Sequence, residues 1–268
     1  MAETLGVYLG FARAALRREA AYRVSILIAM VGFATKIYVL QFVWTSLYRS
    51  SGNGTPGGIA LPQMLSYMVV GQLLSLLFRS NATNPIRIKV RDGQIAIDLM
   101  RPVSLPFSLL ADDLGATALN LILMGPAVGL ALMLGILQSP FSTFHALAFT
   151  ASLILAYLAQ VHLHLLISMT AFWTLETYGL NLAMQFATLL LSGVIVPLWF
   201  LPEGFLRVTQ LLPFAAIYST PLSIYIGRLQ GPELLEALGL QVAWVGGLAA
   251  LVALVWSLAA RRLVVQGG

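Results

Sequence analysis

Few residues of this chain carry side chains able to do chemistry, and their spacing decides most of the options. Asp112 and Asp113 are adjacent carboxylates. Neighbours on a helix point about 100° apart, so the pair does not converge as an acid–base dyad and an interfacial role is expected. His162 and His164 diverge by about 200° around a helix, and no Asp, Glu or third His lies close to them in sequence. Packing or hydrogen bonding across helices is therefore expected of them, not metal binding. Ser192, in Leu190-Leu191-Ser192-Gly193, offers a hydroxyl nucleophile, but no histidine follows it to act as base. Cysteine is absent, which removes thiol catalysis, thiolate metal sites and disulfides. A phosphate-binding loop needs Gly immediately before Lys, whereas Lys36 and Lys89 follow Thr35 and Ile88. No catalytic, cofactor or metal site is assigned, and any ATPase that drives this protein is expected on a separate polypeptide.

The longest polar island is Arg87-Ile-Lys-Val-Arg-Asp-Gly-Gln-Ile-Ala-Ile-Asp-Leu-Met-Arg101-Pro102. Arg79, Arg87, Lys89, Arg91 and Arg101 lie on it or beside it. Ile86, Ile88 and Val90 alternate with the basic residues, a period that suits a strand, yet Arg87 and Arg91 also share a helical face. Gly93 breaks either element and Pro102 ends the stretch. A solvated basic loop would account for the arginines but not for Asp92, Gly93, Asp98 or the apolar residues between them.

The elements around these residues are dictated by composition. Hydrophobic residues make up 59% of the chain and charged ones 9%, against about 45–50% and about 25% in soluble proteins. So few charges cannot cover a soluble surface, and the class is an all-α polytopic membrane protein. Spans are expected near Val24–Leu47, Leu61–Phe78, Leu114–Leu137, His145–Ala171, Tyr178–Leu201 and Leu238–Ala260. The first run is too long for a signal peptide and is expected to remain as an anchor. Residues 4–22 read as an amphipathic interfacial helix, with Leu5, Leu9, Ala12 and Leu16 on one stripe and Arg13 and Arg17 beside it.

Charge bias sets the topology. Arg13, Arg17, Arg18 and Arg23 precede the first span, the basic island follows the second, and Arg261 and Arg262 follow the last. Six spans put all three clusters on one side, so both termini are expected in the cytoplasm. The net charge of +5 is thus a membrane-orienting charge and does not point to nucleic acid. One domain results: an interfacial helix (1–23), spans one and two (24–80), a cytoplasmic segment (81–105), spans three to five (106–201), an outer-side re-entrant segment (202–235), then span six and the tail (236–268). Broken backbone in that re-entrant segment is tolerated only where protein or water satisfies its polar groups. Lys36 sits near the middle of the first span, where a lysine costs about 2.5–3.5 kcal/mol. With Tyr67 and Gln72 it is a candidate lining of a transport path; an ion pair or a snorkelling lysine is the equally weighted alternative.

Gly93-Gln-Ile-Ala-Ile-Asp98-Leu99-Met100-Arg101-Pro102 resembles the Gly…Asp-Leu-Leu-Arg-Pro signature of permeases from bacterial type 2 ABC exporters, the six-span subgroup often encoded as paired permeases beside one ATPase. Met100 stands where leucine is usual, a volume-conserving change. The layout is similar over nearly the whole chain. The resemblance implies a coupling helix at about residues 82–92, docking Arg87, Lys89 and Arg91 against acidic groups of the ATPase with Ile88 or Val90 as anchor. Asp92 and Gly93 belong to the same ATPase-coupling set, and Asp98 and Arg101 could hold the segment against the membrane end of the third span. It further implies two ATPase subunits carrying ATP and Mg, a second identical or related permease, surrounding lipid, the bacterial inner membrane, and export by alternating access. The alternatives are a stand-alone intramembrane or lipid-modifying enzyme, which needs a convergent polar set, and an ion-driven carrier leaning on Lys36 and Asp113.

Overall fold

The computed structural model describes residues 23–52, 55–78, 105–174 and 177–266, with Gly10, Ala14, Ile88, Lys89, Ile95 and Ile97 as isolated positions. The expected interfacial helix and most of the polar island lie outside the described residues. Regular structure among those described is helical: α1 (Arg23–Ser50), α2 (Leu61–Leu77), α3 (Leu105–Met133), α4 (Thr143–Met169) and α5 (Tyr178–Leu191). Three short helices follow, α6 (Glu203–Gln210), α7 (Pro213–Ile217) and α8 (Ser219–Tyr225), and then the long α9 (Gly231–Gln266). Among the described residues, four helices are long and apolar enough to cross a membrane: α1, α3, α4 and α9. The apolar α2 and α5 are shorter, at 17 and 14 residues. At 1.5 Å per residue α5 reaches roughly 21 Å, less than a hydrocarbon core of about 30 Å.

Three expected boundaries move. The third span was placed at Leu114–Leu137, whereas α3 is already helical from Leu105. It ends at Met133 because Gly135 adopts φ 66° and Ile136 N–H reaches back to the Ala131 carbonyl at 3.2 Å. The fifth, placed at Tyr178–Leu201, stops at Leu191: Ser192 closes the helix, Gly193 takes φ 81°, and Leu198–Phe200 forms a separate 3-10 turn. The last helix, α9, starts at Gly231, ahead of Leu238.

Contacts sort the connections onto two ends. At one, Ile95 is buried in a cluster with Leu105, Leu165, Phe172 and Ala259. At the other, the Tyr48 hydroxyl donates to the Ile59 carbonyl (2.9 Å), Gln138 N–H donates to Ser66 Oγ (2.9 Å), and the Tyr225 hydroxyl donates to the Gln138 carbonyl (2.6 Å). This second end also carries α6–α8 and is called the excursion end below.

The core is α4, against which α9 packs more extensively than any other pair of helices. Ala148, Ser152, Ala156 and Ala159 make a buried stripe along α4 at helical spacing, and small residues let backbones approach closely where lipid supplies no hydrophobic drive. Into this contact goes one polar clasp. Ser152 Oγ donates to Gln241 Oε1 (2.8 Å), and Gln241 Nε2 donates to the carbonyls of Ala216 (2.6 Å) and Ser152 (3.2 Å). Gln241 and Ser152 are 1% and 0% exposed, so neither has water as a substitute partner. Gln241→Leu strands the Ala216 carbonyl and is expected to cost roughly 1–3 kcal/mol, read as a lower unfolding temperature of the detergent-purified protein. Ser152→Ala leaves Gln241 bonded to Ala216 and should cost less.

Candidate functional site

The polar side chains inside the bundle mostly satisfy one another or the backbone. Asp113, eight residues into α3, is 3% exposed and accepts a hydrogen bond from the Tyr157 hydroxyl of α4 at 2.9 Å. It is therefore a buried inter-helix group; Asp112 is half-buried. His162 Nδ1 donates to the Leu158 carbonyl at 2.6 Å, while His164 Nε2 lies 2.7 Å from Gln160 Nε2. His164 Nδ1 and Gln160 Oε1 are buried without a partner. Turning the Gln160 amide over would let Oε1 accept from His164 Nε2–H, the sort of assignment that the hydrogen-bond network decides. Ser192 Oγ accepts the Val194 N–H (3.4 Å) and caps the break after α5.

The three candidate path residues are not brought together. Lys36 lies on the exposed side of α1, away from the buried stripe of Phe33, Ile37, Trp44 and Tyr48. Tyr67 is wholly buried, its hydroxyl donating to the Gly193 carbonyl at 3.0 Å, and so helps to hold the chain where α5 breaks. Gln72 is 7% exposed. Of the expected coupling residues, Ile88 and Lys89 are helical, with Ile88 42% exposed. Arg87, Val90, Arg91, Asp92, Gly93, Asp98 and Arg101 lie outside the described residues.

The excursion end holds an aromatic and charged assembly that the sequence reading did not single out. The Arg228 guanidinium sits 4.4 Å above the Trp199 ring and donates to the Gly57 carbonyl at 3.2 Å. Trp199 meets Tyr67 edge-on with centroids 5.0 Å apart and touches Phe200, which packs on Trp44. Burial lowers the Arg228 pKa from its ordinary value, and the charges of Tyr67 and Glu233 act in the opposite direction. Gly57 has φ 67°, and a Cβ on it would lie 2.8 Å from the Trp199 ring. The available signals were Gly57-Gly58 in a turn and a lone arginine, Arg228, at the foot of an apolar run; neither says which ring lies opposite.

Below this end the walls open into a cavity of about 740 Å³. One wall is the hydroxyl face of α8, Ser219, Thr220 and Ser223; another is the stripe Glu233, Glu236, Ala237 and Leu240 of α9.

A bundle of apolar helices with its polar groups turned inward, and with irregular backbone gathered at one end, defines a multi-pass membrane protein of the permease type. The chain belongs to the ABC-2 family of transporter proteins, whose family model matches residues 34–267, from the middle of α1 to beyond the end of α9. No curated protein matches it. Membership makes it the membrane part of an ABC-type transporter, a class that works with an ATPase subunit.

The assembly at Gly57 is testable by itself. Gly57→Ala forces both a left-handed backbone, about 1–2 kcal/mol for a residue with a Cβ, and a displacement of Trp199. The expected result is a lower unfolding temperature together with a shift in tryptophan emission. Gly58→Ala shares the first cost, with φ 73°, but meets nothing within 4 Å, so it should lower stability without moving the emission.

Proposed function

We propose that this chain is the permease subunit of an ATP-driven exporter and forms half of the substrate path. ATP and Mg are held by a separate ATPase, present in two copies, and the polar island between α2 and α3 receives its motion. The observation that carries this reading is the placement of Ile95. It is 4% exposed and packed among Leu105 and Leu109 of α3, Val161, Leu165 and Met169 of α4, and Val252 and Ala259 of α9. A segment keyed into three long helices cannot be pushed without moving them, because packed interiors transmit displacement instead of absorbing it. Arg87, Lys89 and Arg91 supply charge for an acidic groove, with Ile88, already 42% exposed, as the apolar anchor. Asp92, Gly93, Asp98 and Arg101 complete the segment. That end then faces the cytoplasm of a bacterium, with both termini, and the excursion end faces outward.

The second permease copy has its own support. α5 has no buried residue and packs mainly on the short α7. Lys36, mid-way along α1, is exposed on the lone chain, a position that lipid would penalise by about 2.5–3.5 kcal/mol. Both are accounted for if the exposed sides of α1 and α5 meet another permease, identical or related, around a polar path to which Lys36 and Gln72 belong.

Two experiments check this. Charge reversal at Arg87, Lys89 and Arg91 together should abolish capture of the ATPase subunit and its stimulation by the permease; unchanged capture would end the coupling assignment. Since the chain has no cysteine, Phe186→Cys on α5, 56% exposed, gives a clean cross-linking site. A covalent permease pair should form in membranes, while Ala156→Cys, fully buried within α4, should give none.

A further inference from the structure

We propose that α6 is an interfacial helix: it lies along the membrane boundary at the excursion end, with Phe205, Val208 and Leu211 in the lipid, and holds there whatever the head-group charge. At about 100° per residue its side chains sort into three separate arcs. Leu206 and Thr209 share the first; Thr209 is buried and Leu206 half-buried, so this arc faces the protein, where α6 packs on the Leu198–Phe200 turn and on α7. Glu203, Arg207 and Gln210 share the second and are exposed. Phe205, Val208 and the capping Leu211, whose backbone is still helical, share the third and are 46%, 57% and 69% exposed. The free surface of the helix is thus divided lengthwise into a polar and an apolar side, the pattern of a helix lying between water and lipid. In hydrocarbon the ionised residues would be unsolvated, and in water the apolar arc would have no partner.

The depth of α6 has separate support. It follows directly on the turn that carries Trp199, over whose ring the Arg228 guanidinium lies while donating to the Gly57 carbonyl. Arg49 closes α1 at this same end, and Glu233 stands in the first turn of α9. Charged helix ends and an indole beside a guanidinium mark the level where bilayer gives way to water. The occupant of the apolar arc is therefore the acyl boundary of the adjoining leaflet.

Charge narrows the partner further. Interfacial helices commonly turn Lys and Arg toward anionic head groups. Here Arg207 pairs with Glu203 at 3.7 Å, and α6 carries one residue of each sign. Its polar side is neutral, so the contact depends on acyl chains and not on anionic lipid. The argument needs only a multi-pass membrane protein and is independent of the exporter reading.

The test uses the whole chain, which contains no cysteine, in lipid nanodiscs. Single cysteines are introduced by Phe205→Cys, Val208→Cys, Leu211→Cys, Glu203→Cys or Gln210→Cys and labelled with the fluorophore NBD. Brominated acyl chains should quench the first three labels and aqueous iodide the last two, with a contrast of about threefold for a face sunk about 5–10 Å into the boundary. Exchanging phosphatidylcholine for phosphatidylglycerol should leave quenching at Val208→Cys unchanged. Iodide quenching at Phe205→Cys and Val208→Cys would show this side in water, and shielding from both quenchers would show it covered by protein. Either result overturns the proposal, as does quenching that grows with phosphatidylglycerol. Phe205→Cys and Val208→Cys decide separately, so misfolding of one variant leaves the other to report.

Discussion

Irregular backbone inside a membrane protein survives only where its polar groups find protein partners, and the excursion end is organised by that requirement. The chain breaks after Leu191, and again around α7 and α8, exposing carbonyls that no continuing helix turn can use. Partners come from a few side chains on the long helices. Tyr67 of α2 serves Gly193, Gln241 of α9 serves Ala216, and His145 at the start of α4 contacts the Leu229 carbonyl at 3.2 Å. Return traffic runs the same way, with Tyr225 of α8 serving Gln138 in the loop after α3. Without these side chains the broken segment would have to leave the bundle for water.

Those partners show what can and cannot be read from sequence. Long apolar runs placed every major helix, because the demand for consecutive apolar residues is a property of each run alone. The boundaries were less legible. Hydropathy does not distinguish Tyr178–Leu191, which is helical, from Ile195–Leu201, which is not; the break follows from a positive φ at Gly193 and the cap by Ser192. Ser152 and Gln241 were visible as lone polar residues within apolar runs, but 89 residues separate them and only the fold shows that they meet. Asp113 was expected at the membrane interface from its charge; that the Tyr157 hydroxyl, 44 residues on, donates to it shows only in the fold.

Charge is distributed by the same economy. In the described part of the chain, the carboxylates of α6 and α9 lie near helix starts, where the helix dipole favours them. Arg228 is held over an aromatic face, where a guanidinium loses little on partial desolvation. Lys36 lies on the exposed side of α1 and has no such shelter among the described residues. Under the proposed pairing it would face, with α5, a second permease instead of lipid.

The two ends of the molecule are joined by the same long helices. Ile95 is keyed into α3, α4 and α9, and α9 runs from that cluster back to Glu233 and Glu236 at the mouth of the excursion cavity. A rigid helix shifted at one end moves at the other, so under the proposed coupling a displacement at Ile95 would reach the excursion end along α9. At the excursion end, Trp199 is tied to α2 through Tyr67 and to the α1–α2 turn through Arg228 and Gly57. The same end is tied to α9 by Gln241, which donates to the Ala216 carbonyl, and to α4 by the packing of α8. The broken segment is therefore held by the very helices that pack around Ile95 at the other end, and its carbonyls keep their partners only while those helices keep their places.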